Sequence, residues 1–153
     1  MTTLRFEPLN KGHIPAILEI EKVANTAPWS EQSFLNELDN PQSIFLVAFV
    51  DGKVNGYGGV WMVIDEAHIT TVAVSPELQR KGIGRKLMHE LLKRSIDNGM
   101  TCSTLEVRAS NQSAIRLYET LGYESCARRK GYYPDNKEDA VVMWLFDIHK
   151  WKA

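Results

Sequence analysis

With 153 residues, 44% of them hydrophobic and 24% charged, the chain has the make-up of one globular domain spanning 1–153 that closes a core without disulfide or metal staples. Its formal charge of −1 excludes a protein that coats nucleic acid, which requires a clear cationic excess. Cys102 and Cys126 form no C-x-x-C, the histidines are scattered, and neither an apolar leader nor a run of ~18 apolar residues occurs, so a reduced, metal-free, cytoplasmic protein off the membrane is expected.

Leu4 to Pro8 is predicted as a short strand, and from Lys11 onward Ile14, Ile17, Leu18 and Val23 recur at helical spacing. A second, short helix follows in APWSEQSFLNELDN, with Ser30 as its N-cap, Glu31 favourable in the first turn, and Phe34, Leu35 and Leu38 on one face. SIFLVAFV and VNGYGGVWMVI flank DGK and read as an antiparallel hairpin, with HITTVAVS as a further strand close behind. Ile83, Leu87, Met88, Leu91, Leu92 and Ile96 mark a core-facing helix that Asn98 and Gly99 terminate, after which STLEV is a strand by composition. Ala114, Leu117, Tyr118 and Leu121 mark the last helix, with Asn111 near its start and Gly122 past its end. Strands near Tyr123 to Ala127 and Asp139 to Leu145 close the series. No repeat or linker divides it, so the order predicts one α+β sheet of about seven strands covered by about four helices.

The stretch VAVSPELQRKGIGRKLM, residues 72–88, runs from a strand through a basic, glycine-punctuated turn into a helix. Such a turn aims backbone N–H groups and the positive end of a helix dipole at one point, which suits an anion. Gly82 and Gly84 allow close approach of the main chain, and Arg80, Lys81 and Arg85 add charge. The dinucleotide fingerprint is excluded because position 87 is Leu where a third glycine belongs, and the P-loop pattern is absent. What remains is Gln79-Arg80-Lys81-Gly82-Ile83-Gly84, or a solvated basic turn that merely starts a helix.

The Q-R-x-G-x-G loop resembles the pyrophosphate loop of the GCN5-related N-acetyltransferases (GNAT), which hold acetyl-coenzyme A. LEVRASNQSAIRLYETLGY, residues 105–123, resembles the second half of the acetyl-coenzyme A site in that superfamily. Together, APWSEQSF, LEVRASN and YYPDNKEDAVVM resemble the bacterial ribosomal-protein-alanine N-acetyltransferases of the RimI type, over roughly residues 4–146. The fold this resemblance implies is a three-layer α/β/α arrangement on a mixed, twisted sheet whose fourth and fifth strands splay apart to admit the pantetheine arm.

The resemblance also implies roles. Glu106 matches the proton acceptor, although a strand-end glutamate is otherwise a solvated carboxylate. Tyr118 matches the proton donor to the coenzyme thiolate, although it also sits on an apolar stripe suited to a core tyrosine. Asn111 serves as helix cap and cofactor contact together. Main-chain N–H groups around Val72, Ala73 and Val74 would polarise the thioester, and Arg80, Lys81, Gly82, Ile83, Gly84 and Arg85 would grip the diphosphate. Acceptor recognition falls to Ala27, Pro28 and Trp29 and to the final hairpin with Tyr132, Tyr133, Pro134, Glu138 and Asp139. Trp29 also reads as a helix-entry staple, and the tyrosines as loop packing. Arg128, Arg129 and Lys130 offer a contact to the adenosine 3′-phosphate or to ribosomal RNA, but an exposed basic face is the favoured reading.

The expected activity is direct acetyl transfer from acetyl-CoA to the α-amino group of an N-terminal alanine in a ribosomal protein, by a monomer that contacts no nucleic acid and uses no metal. The competing readings are the same chemistry on a lysine side chain or polyamine, or a non-catalytic acyl-CoA-binding module. Cys102 is expected to pack inertly.

Overall fold

The computed structural model describes residues 3–25, 27–79 and 81–150. Its strands are β1 (Leu4–Pro8), β2 (Ser43–Val50), β3 (Lys53–Val63), β4 (Glu66–Val74), β5 (Cys102–Arg108), β6 (Glu124–Arg129) and β7 (Ala140–Leu145). The helices are α1 (Ile14–Ala24), α2 (Glu31–Leu38), α3 (Ile83–Asp97) and α4 (Gln112–Thr120). The strands form one 7-stranded sheet in the order β1-β2-β3-β4-β5-β7-β6. All neighbours are antiparallel except β4 and β5, which run parallel. The expected strands and helices all occur, in the expected order.

Strand alternation divides the core into two layers, as a period of two residues requires. On β2, Phe45 and Val47 join Ile14, Ile17, Phe34 and Tyr57 on the α1–α2 side, whereas Leu46 joins Leu87, Met88, Leu91 and Leu92 on the α3 side. Each of those four α3 side chains is fully buried, and each contributes about 1.5–3 kcal/mol through apolar burial. The same alternation explains two successive glycines on β3. A Cβ on Gly58 would lie 2.8 Å from Leu91 Cδ1 beneath the sheet, and one on Gly59 would lie 2.7 Å from the Phe45 ring above it.

Val23, expected on the apolar face of α1, is 69% exposed. It lies nine residues beyond Ile14, which at ~100° per residue puts it opposite the stripe. The position that Val23 was expected to fill is taken by Glu21, which is 1% exposed.

The splay of the sheet is visible in the register. β4 pairs with β5 only through Glu66, Ala67 and His68 against Cys102, Ser103 and Thr104. Beyond that point β4 continues along β3 while β5 continues along β7. Thr70 is the extra residue where the β3–β4 register shifts at Gly59/Val60, a bulge that bends β4 away at the start of the opening. The slot between the strands is therefore written into the backbone.

Candidate active site

The slot opens into a cleft of about 580 Å³ lined by Val72, Ala73 and Val74 of β4, Gly82, Gly84 and Arg85 at the start of α3, and Asn111, Leu117 and Tyr118 of the α4 segment. Gly82 caps α3 in the left-handed conformation, φ 78°, which only glycine adopts without strain. The first backbone bond of α3 runs from Lys86 N to Gly82 O at 3.1 Å, so the N–H groups before it have no partner inside the helix. Such groups are able to donate to an anion. Arg85 is steadied by a 2.6 Å bond from Nη1 to Thr120 Oγ1, and Gln79 Nε2 donates to Val74 O at 3.3 Å, tying the loop to the end of β4. Asn111 Oδ1 accepts from Ala114 N at 3.2 Å and lines the cleft, so the cap and cleft positions coincide. A Cβ on Gly84 would meet Leu117 and Val74 at 3.8 Å, so the helix entry approaches both cleft walls closely.

Two expected phosphate contacts differ. Ile83 has its side chain in the core at 5% exposure, so only its main-chain N–H is available to a ligand. Lys81 is exposed and lies off the cleft lining, and Arg80 lies outside the described residues.

Tyr118 reaches the cleft with its ring edge-on to Tyr123 at 5.8 Å. Burial, helped by the neighbouring Tyr133 hydroxyl, pushes its pKa up to about 12. Glu106 stands on the exposed face of β5 opposite Val142 and is not part of the cleft lining. Its Oε2 lies 3.1 Å from Arg129 Nε. Tyr133 connects the two groups: burial is the main cause of its raised pKa, and Glu106 adds to it, while Tyr133 in turn acts on Tyr118.

The acceptor-side residues are fixed more tightly than the sequence suggests. Glu138 accepts from Ser110 N at 2.7 Å and pairs with Arg108 at 3.5 Å; the Ser110 bonds chiefly hold its pKa down. Asp139 accepts from Gly131 N at 3.0 Å and from Arg128 at 3.1 Å, the Gly131 bond being the main cause of its lowered pKa. These carboxylates, expected to face an incoming ammonium, instead brace their own hairpin. Tyr132 and Tyr133 meet edge-on at 5.1 Å, with the Arg108 guanidinium 4.0 Å over the Tyr133 ring. Trp29 packs against Phe34 at 5.2 Å and Phe45 at 6.4 Å, as a staple does.

Sequence reasoning missed Glu21. Its carboxylate accepts the Tyr57 hydroxyl, Trp29 N at 2.8 Å and Asn25 Nδ2 at 3.1 Å, and it lines the cleft, so it pins the α1–α2 loop to the sheet. The signal was present: a carboxylate four residues after Ile17 falls on the buried stripe of α1. Arg108 and Arg129 were also missed as site residues. The basic run does not form one face, because Arg128 pairs with Asp139 and Arg129 with Glu106.

A slot between diverging parallel strands, with a glycine-led helix N-terminus at one end and a phenol along its wall, defines a class of acyl-transferring enzyme. The acetyltransferase (GNAT) family profile matches residues 14–123, and the chain belongs to that family as an acetyl-CoA-dependent N-acetyltransferase. It is 39% identical to the [ribosomal protein bS18]-alanine N-acetyltransferase of Escherichia coli K12, over 90% of this chain and 93% of the relative. The crystal structure of the ribosomal-protein-S18-alanine N-acetyltransferase from Escherichia coli superposes with a TM-score of 0.86 at 35% identity, covering 94% of this chain and 93% of that one. Ard1 from Thermoplasma volcanium gives a TM-score of 0.86 at 27% identity, covering 95% and 97%.

Proposed function

We propose that the protein is a cytoplasmic enzyme that acetylates the α-amino group of an N-terminal alanine on a ribosomal protein, with the whole of 1–153 acting as one domain. The observation that carries the acceptor assignment is the 39% identity over nine-tenths of the chain to the Escherichia coli enzyme of that specificity. Val72, Ala73 and Val74, the amides at the start of α3 and Arg85 would hold acetyl-CoA, which supplies the activated acetyl group; the N–H groups without a partner inside the helix and the volume of the cleft suit an extended, diphosphate-bearing molecule.

Glu106 then removes the proton from the acceptor. An α-ammonium of pKa ~7.7–8.0 is mostly charged at neutral pH, so a nearby carboxylate both attracts it and takes its proton. Tyr118 acts as a hydrogen-bond donor to the departing thiolate. With its pKa at about 12, full transfer to a thiolate of ~8.5 would be uphill by roughly 5 kcal/mol, so stabilisation without transfer carries the role. Trp29, Tyr132 and Tyr133 form the acceptor walls, and Glu138 and Asp139 hold the second wall in place.

The test is direct. With acetyl-CoA and a panel of peptides beginning with Ala, Ser and Met, set against spermidine, the α-amine of the Ala peptide should gain acetyl fastest by mass spectrometry. Preferential acetylation of spermidine or of internal lysines would reassign the substrate, and no turnover of any amine would leave a coenzyme-binding module.

A further inference from the structure

Arg129 belongs to β6, yet its side chain reaches a carboxylate two strands away. The register places Arg108, Ala140 and Arg129 in one row across β5, β7 and β6, and Glu106, Val142 and Ala127 in the next row on the same face. Ala140, fully buried with only a methyl group, leaves room above β7 for the Arg129 stem to cross. The guanidinium Nε comes to 3.1 Å from Glu106 Oε2, with side chains 61% and 34% exposed, and stands 5.6 Å over the Tyr132 ring.

The other two arginines around this hairpin are held differently. Arg108 is clamped by Asp135 at 3.0 Å, by Glu138 at 3.5 Å and by the Tyr133 ring. Arg128 is held by Asp139, whose other oxygen accepts from Gly131 N. Arg129 alone rests on the carboxylate assigned to proton removal, through a solvent-exposed pair of the kind that changes an equilibrium constant by no more than about fivefold. A guanidinium neither gives up nor takes a proton near neutral pH. It can therefore occupy the cation position beside Glu106 without performing the reaction.

Building on the assignment of Glu106 as base, we infer that Arg129 is a specificity-determining placeholder for the acceptor ammonium. It pairs with Glu106 while no acceptor is bound, is displaced by the cationic amine, and returns once acetylation has made that nitrogen neutral. The consequence is a bias against product. An amine must displace a weak ion pair beside the Tyr132 hydroxyl, which also bonds Glu106, whereas the acetylated N-terminus has no charge with which to hold Glu106 and is released as Arg129 re-forms its contact.

The experiment measures equilibrium binding of a short peptide beginning with alanine and of its Nα-acetylated counterpart, on wild type, Arg129→Ala and Arg129→Lys, with coenzyme A present. Arg129→Ala should tighten binding of the free-amine peptide about two- to fivefold and leave the acetylated peptide unmoved, with Arg129→Lys between wild type and Ala. In a Glu106→Gln background the Arg129→Ala effect should vanish. Weaker or unchanged binding of the amine peptide, or an equal shift for both peptides, would overturn the placeholder role and make Arg129 a plain contact or a structural residue. The assignment of Glu106 fails separately, by undiminished turnover in Glu106→Gln.

Discussion

The two sides of the site are made of different material. The proposed coenzyme wall is backbone: strand amides on β4, the entry of α3 with Gly82 at φ 78°, and a gap left by a ladder that stops at His68 and Thr104. The proposed acceptor side, which apart from Glu21 lies off the cleft lining, is side chains: Glu21 holding the Trp29 amide, Arg108 held by Asp135 and Glu138, and Arg129 on Glu106. A backbone site accepts any ligand with the common diphosphate, whereas a wall of interlocked side chains can be rewritten one residue at a time without disturbing the sheet. On the proposed assignment the coenzyme is bound by the fold, and the substrate by what the fold displays.

That contrast can be broken most sharply at Glu106. Glu106→Gln should lower kcat by about 10²–10⁴ while leaving acetyl-CoA affinity nearly unchanged, since the residue is no part of the cleft lining; steady-state kinetics with calorimetric titration separates the two. A large loss of coenzyme affinity would mean the walls are not independent. Tyr118→Phe should cost kcat roughly 10–100-fold, the worth of a hydrogen bond to a charged group, with little change in acetyl-CoA affinity. On the backbone wall the pattern inverts. Gly84→Val should weaken acetyl-CoA binding about tenfold by overpacking against Leu117 and Val74, while Gly84→Ala, whose Cβ would meet both at 3.8 Å, should bind almost as wild type.

The smallest effect is on stability at high pH. Burial raises the pKa of Tyr57, of Tyr123 and of Tyr118, the last to about 12, against ~10 unfolded. A group whose folded pKa is raised stabilises fully below its unfolded pKa, so Tm should be insensitive to these phenols below pH ~10 and fall as pH climbs from ~10 through 12. Tyrosinate absorbance should show those three ionising, while the protein stays folded, only well above pH ~10. If they titrate in the native state at ~10, the phenol beside the cleft is not buried as described.

Legibility in the sequence followed the same division. Strands and helices were readable because their signals are local: the apolar period of α3, Ser30 and Asn111 as caps, glycines past helix ends. The glycine turn was readable as an anion site because backbone chemistry needs particular residues at fixed spacing. The seven-strand count also followed from composition, but the splay did not, since the end of the β4–β5 ladder depends on a bulge at Thr70 and on which partner each strand follows. Arg129 and Glu106 are 23 positions apart, and their meeting depends on β7 inserting between β5 and β6, a topological fact with no local trace. Val23 and Glu21 were a different failure. Hydrophobicity outvoted geometry, and the helical angle, applied strictly, would have exchanged them.

The diverging β4 and β5 amount to an edge strand hidden in the middle of a sheet. Open edges invite pairing with foreign chains and are usually blunted by charge or cut short. Here the unpaired stretch of β4 lies in the cleft, between residues of α3 and α4. A liability that other sheets suppress would become, with acetyl-CoA held as proposed, a template on which a linear ligand docks as though it were the missing strand.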